Sequence, residues 1–192
     1  MITIGPELAQ YENSFLSKQE ANAFYFSLLE GNRWTQEKIS LFGKQVAVPR
    51  LVAWQGELGL NYRYSGTDHC GQGFDDNMER LKQMVEEKTK QRFNFVLLNL
   101  YRDGDDYMGF HSDREKSLGA NPIIASLSFG ATRRFVYKHK HNCTKVELEL
   151  ENGSLLLMHE SRNSQWQHSL PKQRAIKVPR LNVSFRLVDD AQ

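Results

Sequence analysis

In Tyr107-Met-Gly-Phe-His111-Ser-Asp113 an imidazole and a carboxylate stand two residues apart. An extended backbone turns alternate side chains to one face, so His111 and Asp113 can point at a single spot. A second imidazole, His168, follows far downstream in Trp166-Gln-His-Ser-Leu-Pro171 and can reach that spot from another strand. Beyond it, Pro179-Arg-Leu-Asn-Val-Ser-Phe-Arg186 alternates again, with Arg180, Asn182, Ser184 and Arg186 on one face. Asn99 and Tyr101, in Leu98-Asn-Leu-Tyr-Arg102, have the same period and offer an amide and a phenol.

The other elements are read outward from these strands. Residues 93–101, 123–129, 133–138, 145–150, 154–158 and 181–188 are predicted strands, separated by Gly, Asn, Asp and Pro signals. Two helices precede them. Ser17-Lys-Gln-Glu20 has capping-box spacing ahead of Ala21, Phe24 and Leu28, which predicts a helix over 18–30. Met78, Leu81 and Val85 form the apolar stripe of a second, over 77–91. Lys38 to Trp54 reads as a hairpin with apolar residues exposed around Leu41-Phe-Gly43. Short strands after two helices give an α+β arrangement, an antiparallel sandwich or barrel with helices backing one side.

At 192 residues the chain fits one domain, and no repeat or Pro/Gly/Ser-rich linker divides it. Its 40% hydrophobic and 25% charged residues are ordinary for a globular protein, and no apolar run is long enough to span a bilayer. The N-terminus has no secretory pattern, and Cys70 and Cys143 are isolated, which argues against a disulfide framework and a zinc site. A reducing cytoplasm, or the nucleus in a eukaryote, is the expected location. Net charge is only +2, but Arg133-Arg134, Lys138-His-Lys140 and the basic residues between Lys172 and Arg180 are clustered. Such clusters suit a phosphate backbone, but charges at strand ends and turns are more often simply solvated.

Two imidazoles and one carboxylate, with other coordination positions open, suit a non-haem Fe(II) oxygenase. A His-x-Asp pair alone is a weak signal, and His159 is a rival ligand. Paired arginines can grip a carboxylate bidentately, or can form surface salt bridges with Asp189 and Asp190.

Taken together, Asn99-x-Tyr101, His111-x-Asp113, His168 and Arg180-x-Asn182-x-Ser184-x-Arg186 resemble the AlkB family of Fe(II)/2-oxoglutarate dioxygenases. The resemblance covers about residues 40–188. The segment from Phe42-Gly-Lys to Pro49-Arg50 is similar to the subgroup that repairs alkylated duplex DNA.

This resemblance implies a double-stranded β-helix, or jelly roll, with N-terminal helices backing one sheet and a substrate-binding hairpin lid. It implies a single dioxygenase domain over 1–192, with helices and lid in 1–92 and the core in 93–188. Fe(II) on His111, Asp113 and His168, 2-oxoglutarate and O2 are the implied cofactors. Asn99, Tyr101, Arg180, Asn182 and Arg186 would bind the keto acid, with Arg180 at its distal carboxylate and Arg186 at its chelating end.

The implied reaction is oxidative dealkylation of bases such as 1-methyladenine and 3-methylcytosine, in double- or single-stranded DNA. Tyr62 and Tyr64 would stack on an extruded base, Glu115 would meet its exocyclic amino group, and Phe42 would fill the gap in the stack. Arg50, Arg133, Lys138 and Lys140 would contact the nucleic acid. A monomer is expected. The competing readings are the same chemistry on RNA, a protein or a small molecule, and a nucleic-acid-binding module without turnover.

Overall fold

A computed structural model describes residues 1–5, 7–41, 43–64, 66–113, 115–159 and 165–189, with the backbone alone for 39–41. Strands β1 (Ile2–Ile4) and β2 (Ala9–Glu12) lead into helix α1 (Lys18–Gly31). Hairpins β3 (Lys38–Leu41) with β4 (Lys44–Ala47), and β6 (Asn61–Tyr64) with β7 (Thr67–Cys70), flank β5 (Leu51–Gly56), and helix α2 (Asp76–Thr89) follows. The remaining strands are β8 (Phe95–Tyr101), β9 (Met108–His111), β10 (Ile123–Gly130), β11 (Arg133–His139), β12 (Lys145–Leu150), β13 (Leu155–His159), β14 (Trp166–Leu170) and β15 (Arg180–Arg186).

Both helices start where capping chemistry dictates. Ser17 Oγ accepts from Glu20 N at 3.3 Å while the Glu20 carboxylate accepts from Ser17 N at 3.0 Å, completing the capping box of α1. Asp75 accepts from Met78 N at 2.8 Å to open α2, and Lys90 in the left-handed region closes it. The buried stripes are the anticipated ones: Ala21, Phe24 and Leu28 on α1, and Met78, Leu81 and Val85 on α2. Burial of each large apolar side chain contributes about 1.5–3 kcal/mol.

Seven strands form one antiparallel sheet in the order β1-β2-β13-β10-β15-β8-β5, and four form a second, β12-β11-β14-β9. The two sheets make the double-stranded β-helix. Every residue of β8 and β15 is buried, because these central strands are covered on both faces. Val96, Leu98 and Leu100, with Leu181, Val183, Phe185 and Ala125, Leu127, Phe129, face the helices. Their alternate neighbours face the interior between the sheets, and there the character changes from apolar to polar. The register sets Ser128 opposite Asn182 and Asn182 opposite Asn99, with Arg180 opposite Tyr101 in the next row. A polar patch thus crosses three adjacent strands inside an otherwise apolar barrel.

β1 and β2 were not anticipated, and together with β5 they extend the same sheet that holds β8. The anticipated wedge, Phe42, lies outside the described residues, as does the Leu41 side chain beside it. Among the described residues no helix is long and apolar enough to cross a membrane.

Candidate active site

The polar patch is one wall of a cavity lined by Asn99, Tyr101, Ser126, Arg180, Asn182, Ser184 and Arg186 on the large sheet. Met108, His111, Phe135, Leu150, His168 and Leu170 come from the small sheet, with Tyr64, Asp113 and Met158 completing it. β9 and β14 pair so that His111 lies opposite His168. Their Nε2 atoms are 3.1 Å apart, and His168 Nε2 is 3.4 Å from Asp113 Oδ2. Ligand atoms of His111, Asp113 and His168 all lie within 4.8 Å of one another, and no other such group occurs among the described residues. His159, the rival ligand, sits on β13 against Ile123 and outside this group.

Neighbouring groups fix the orientation of the three donors. His111 Nδ1 is 2.8 Å from Gly109 O, a contact that requires the proton on Nδ1 and leaves the Nε2 lone pair facing the cavity. Burial, reinforced by His168, pushes the His111 pKa down to about 4, so the ring is neutral at physiological pH. Phe135 stacks on His168 with centroids 5.3 Å apart and fixes that ring's plane. Burial works against the Asp113 charge, yet the His168 hydrogen bond and then Arg186 outweigh it and hold the carboxyl far below the usual carboxylate range. Two imidazoles and an ionised carboxylate form the donor set that suits Fe(II).

Two buried guanidinium groups face this point. Arg180 donates from Nη2 to Ser128 Oγ at 2.9 Å and Arg186 from Nη2 to Asp113 Oδ1 at 3.4 Å, while among the described residues Arg180 Nε, Arg186 Nε and Arg186 Nη1 have no partner. A buried unpaired N–H costs about 1–3 kcal/mol, more when charged, so three of them on two arginines that line one cavity call for an anion. Arg50 donates to Asn99 Oδ1 at 2.6 Å, which turns the Asn99 amide nitrogen away from Arg50 as a further donor. The donor set and the orphaned guanidinium hydrogens therefore fit ferrous iron chelated by a dicarboxylate keto acid.

Several anticipated contacts fall elsewhere. Arg133, expected on DNA, is 1% exposed. It donates to the carbonyls of Asp103, Asp106 and Pro171 at 2.9–3.0 Å and packs over Tyr101. Arg50 is likewise buried and faces Asn99 instead of solvent. Tyr62 and Tyr64 do share one face, but Tyr62 is fully buried against Phe95 and only Tyr64 lines the cavity. Glu115 is not on a strand with His111: β9 ends at His111, and Glu115 opens the 3-10 turn Lys116–Leu118. Burial, and then Asp113, still raise its pKa, and Oε2 has no partner among the described residues. Lys138 and Lys140 are exposed, with the Lys138 ammonium 5.6 Å from the Phe110 ring centroid. Ser126, Ser128 and Phe135 were missed, although each falls on the inward phase of a strand that was anticipated.

The profile of the 2OG-Fe(II) oxygenase superfamily matches residues 9–186, and the chain belongs to that superfamily. Its relatives bear out the AlkB resemblance. The chain is 42% identical over 159 residues to the DNA oxidative demethylase ALKBH2 of Mus musculus, covering 79% of this chain and 66% of that protein. It is 38% identical over 184 residues to the alpha-ketoglutarate-dependent dioxygenase alkB homolog 3 of Homo sapiens, covering 91% and 64%. The chain thus spans somewhat less than two thirds of these relatives' lengths. The solved structure of OsALKBH1 superposes with a TM-score of 0.65 at 15% identity over 93% of this chain and 97% of that one, a likeness of fold.

Proposed function

We propose that the chain is an Fe(II)- and 2-oxoglutarate-dependent dioxygenase that removes alkyl groups from ring nitrogens of DNA bases, of the 1-methyladenine and 3-methylcytosine kind. The observation that carries this reading is the convergence of His111, Asp113 and His168 beside two buried arginines with unpartnered N–H groups. The names of the relatives, a DNA oxidative demethylase and an alpha-ketoglutarate-dependent dioxygenase, support it.

His111, Asp113 and His168 would hold the iron. Ferrous iron with 2-oxoglutarate and dioxygen supplies oxidation of a C–H bond, with succinate and carbon dioxide as co-products. Arg180 binds the distal carboxylate of the keto acid, with Ser128 and Tyr101 fixing the guanidinium's direction. Arg186 stands at the chelating end, already tied to Asp113. Asn182, held by Ser126 and the Leu127 carbonyl, keeps the wall between them rigid. The damaged base lies against the Tyr64 ring, with Glu115 Oε2 as an acceptor for its exocyclic amino group. Hydroxylation of the methyl group gives an N-hydroxymethyl base, which collapses to formaldehyde and the repaired base. Exposed Lys138 and Lys140 suit the phosphate backbone.

The test supplies Fe(II), 2-oxoglutarate and an oligonucleotide containing 1-methyladenine without oxygen, then admits air. Succinate, formaldehyde and unmodified adenine in equal amounts are expected. Succinate with the methyl mass retained would move the substrate elsewhere, and no succinate would overturn the reading. Duplex acceptance is part of the same proposal: Phe42→Ala should cost more on duplex than on single strands, and equal losses would remove the wedge.

A further inference from the structure

Behind Tyr64 lies a buried pair that the chemistry above does not use. His69, on β7 and 0% exposed, has Nε2 at 2.7 Å from Oε1 of Glu37, itself 7% exposed. Glu37 immediately precedes β3, and its carbonyl accepts from Val48 N, just past β4, at 2.9 Å, so it belongs to the root of the first hairpin. His69 lies opposite Tyr62 within the second hairpin. The two hairpins are separate two-stranded sheets, with no strand pairing between them among the described residues. Their described link at this point is the carboxylate–imidazole contact.

The imidazole is boxed in on its other sides. Trp54 of β5 stands edge-on to it at 4.5 Å between centroids, and the Trp54 indole donates to the Cys70 carbonyl at 3.1 Å, anchoring β7 to the large sheet. The Tyr64 ring lies 6.4 Å from the imidazole and, beyond it, lines the cavity. Among the described residues His69 Nδ1 has no hydrogen-bond partner, so Glu37 is the polar contact that orients the ring. A buried pair of this kind contributes little net stability, because desolvation offsets its attraction, but it is directional. Loss of one partner leaves the other unpaired in apolar surroundings.

We infer that Glu37 and His69 are a positioning pair: they tie the two hairpins together and hold Tyr64 at the spacing that admits a base, setting substrate affinity, although neither residue lines the cavity itself. This rests on the base-dealkylating reading above. Tyr64 is the point of contact. Glu37 acts through His69, and His69 acts through the ring it packs against.

The experiment compares the full chain with Glu37→Gln, which keeps shape and an acceptor but removes charge, and with the swap Glu37→His/His69→Glu. The KM for a 1-methyladenine oligonucleotide should rise about tenfold in Glu37→Gln. Its kcat, its KM for 2-oxoglutarate and its succinate formation without DNA should stay within about twofold. Amide exchange over residues 61–70 should quicken, and the swap should bring both KM and exchange back toward the parent values. An unchanged oligonucleotide KM, or a 2-oxoglutarate KM that rises in step with it, would overturn the inference. If the parent protein restores no methylated base at all, the functional reading falls, and the exchange measurement judges the tether alone: equal exchange in parent and Glu37→Gln refutes it. Should Glu37→Gln fail to fold, Glu37→Asp asks the same question by shortening the reach.

Discussion

Arg180 and Arg186 bring like charges into one buried space, and what lies against each separates their roles. Burial pushes the Arg180 pKa down to about 10, and its hydrogen-bond partner is a neutral hydroxyl, Ser128. Burial acts on Arg186 as well, but Tyr62, Asp113, Tyr64 and Glu115 outweigh it and raise its pKa. Arg180 is thus the less neutralised charge and stands to gain most from an anion. Arg180→Met should raise the thermal midpoint of the ligand-free protein while abolishing the upward shift that 2-oxoglutarate gives the parent. The KM for 2-oxoglutarate should rise about 10–100-fold. Thermal melts with and without the keto acid check this, and equal ligand shifts in both proteins would contradict it. These residues were legible in the sequence because period-two alternation survives folding. Arg133 was not, since its burial is decided by carbonyls of residues 103, 106 and 171, which no local pattern brings near it.

At the scale of elements, long strands and capped helices could be read from residue type, and short pieces could not. β8, β10 and β15 announce themselves by apolar residues on one phase. β1 and β2, Ile2-Thr-Ile4 and Ala9-Gln-Tyr-Glu12, have too few residues for a period and exist because β13 offers β2 a partner edge. The loop after β8 is organised by Arg133 and by Asp106, which accepts from Arg102 N and Nε at 2.9 and 2.8 Å. Arg133→Ala leaves three carbonyls without their donor and should cost about 2–4 kcal/mol in denaturant unfolding. It should leave the salt dependence of DNA binding unchanged, whereas Lys138→Ala should lower that slope by about one. The reverse pattern would return Arg133 to the DNA surface.

Burial raises the Asp106 pKa, but the Arg102 hydrogen bonds outweigh this and hold it below its ordinary 3.8. A carboxylate lowered on folding adds stability above its unfolded pKa and loses it as pH falls through the folded one. Acid unfolding should therefore show a contribution lost below about pH 3.8 that Asp106→Asn removes, measured as unfolding free energy against pH. An unchanged acid limb in the variant would mean that the Arg102 contact is not formed in solution.

Across the whole molecule, one set of strands serves two cores. The outward phase of β8, β10 and β15 packs α1 and α2, and the inward phase builds the cavity wall. The helices make the sheet rigid, and the rigid sheet holds Arg180, Asn182 and Arg186 in register with the donors on the small sheet. The sandwich, the helices behind it and the donor trio were all visible in the sequence. The depth of Tyr62 and the Glu37–His69 contact were not, because they depend on how two hairpins from separate sheets meet.

In the proposed enzyme His111, Asp113 and His168 hold ferrous iron beside an arginine-anchored keto acid. Anaerobic titration with Fe(II) and then 2-oxoglutarate, followed by the visible charge-transfer band of the chelate, tests it directly. One iron and one keto acid per chain should produce the band, Asp113→Ala should abolish it, and Arg180→Met should shift its midpoint to higher 2-oxoglutarate. A band of full strength in His111→Ala, Asp113→Ala or His168→Ala would place the metal elsewhere and overturn the proposed iron site.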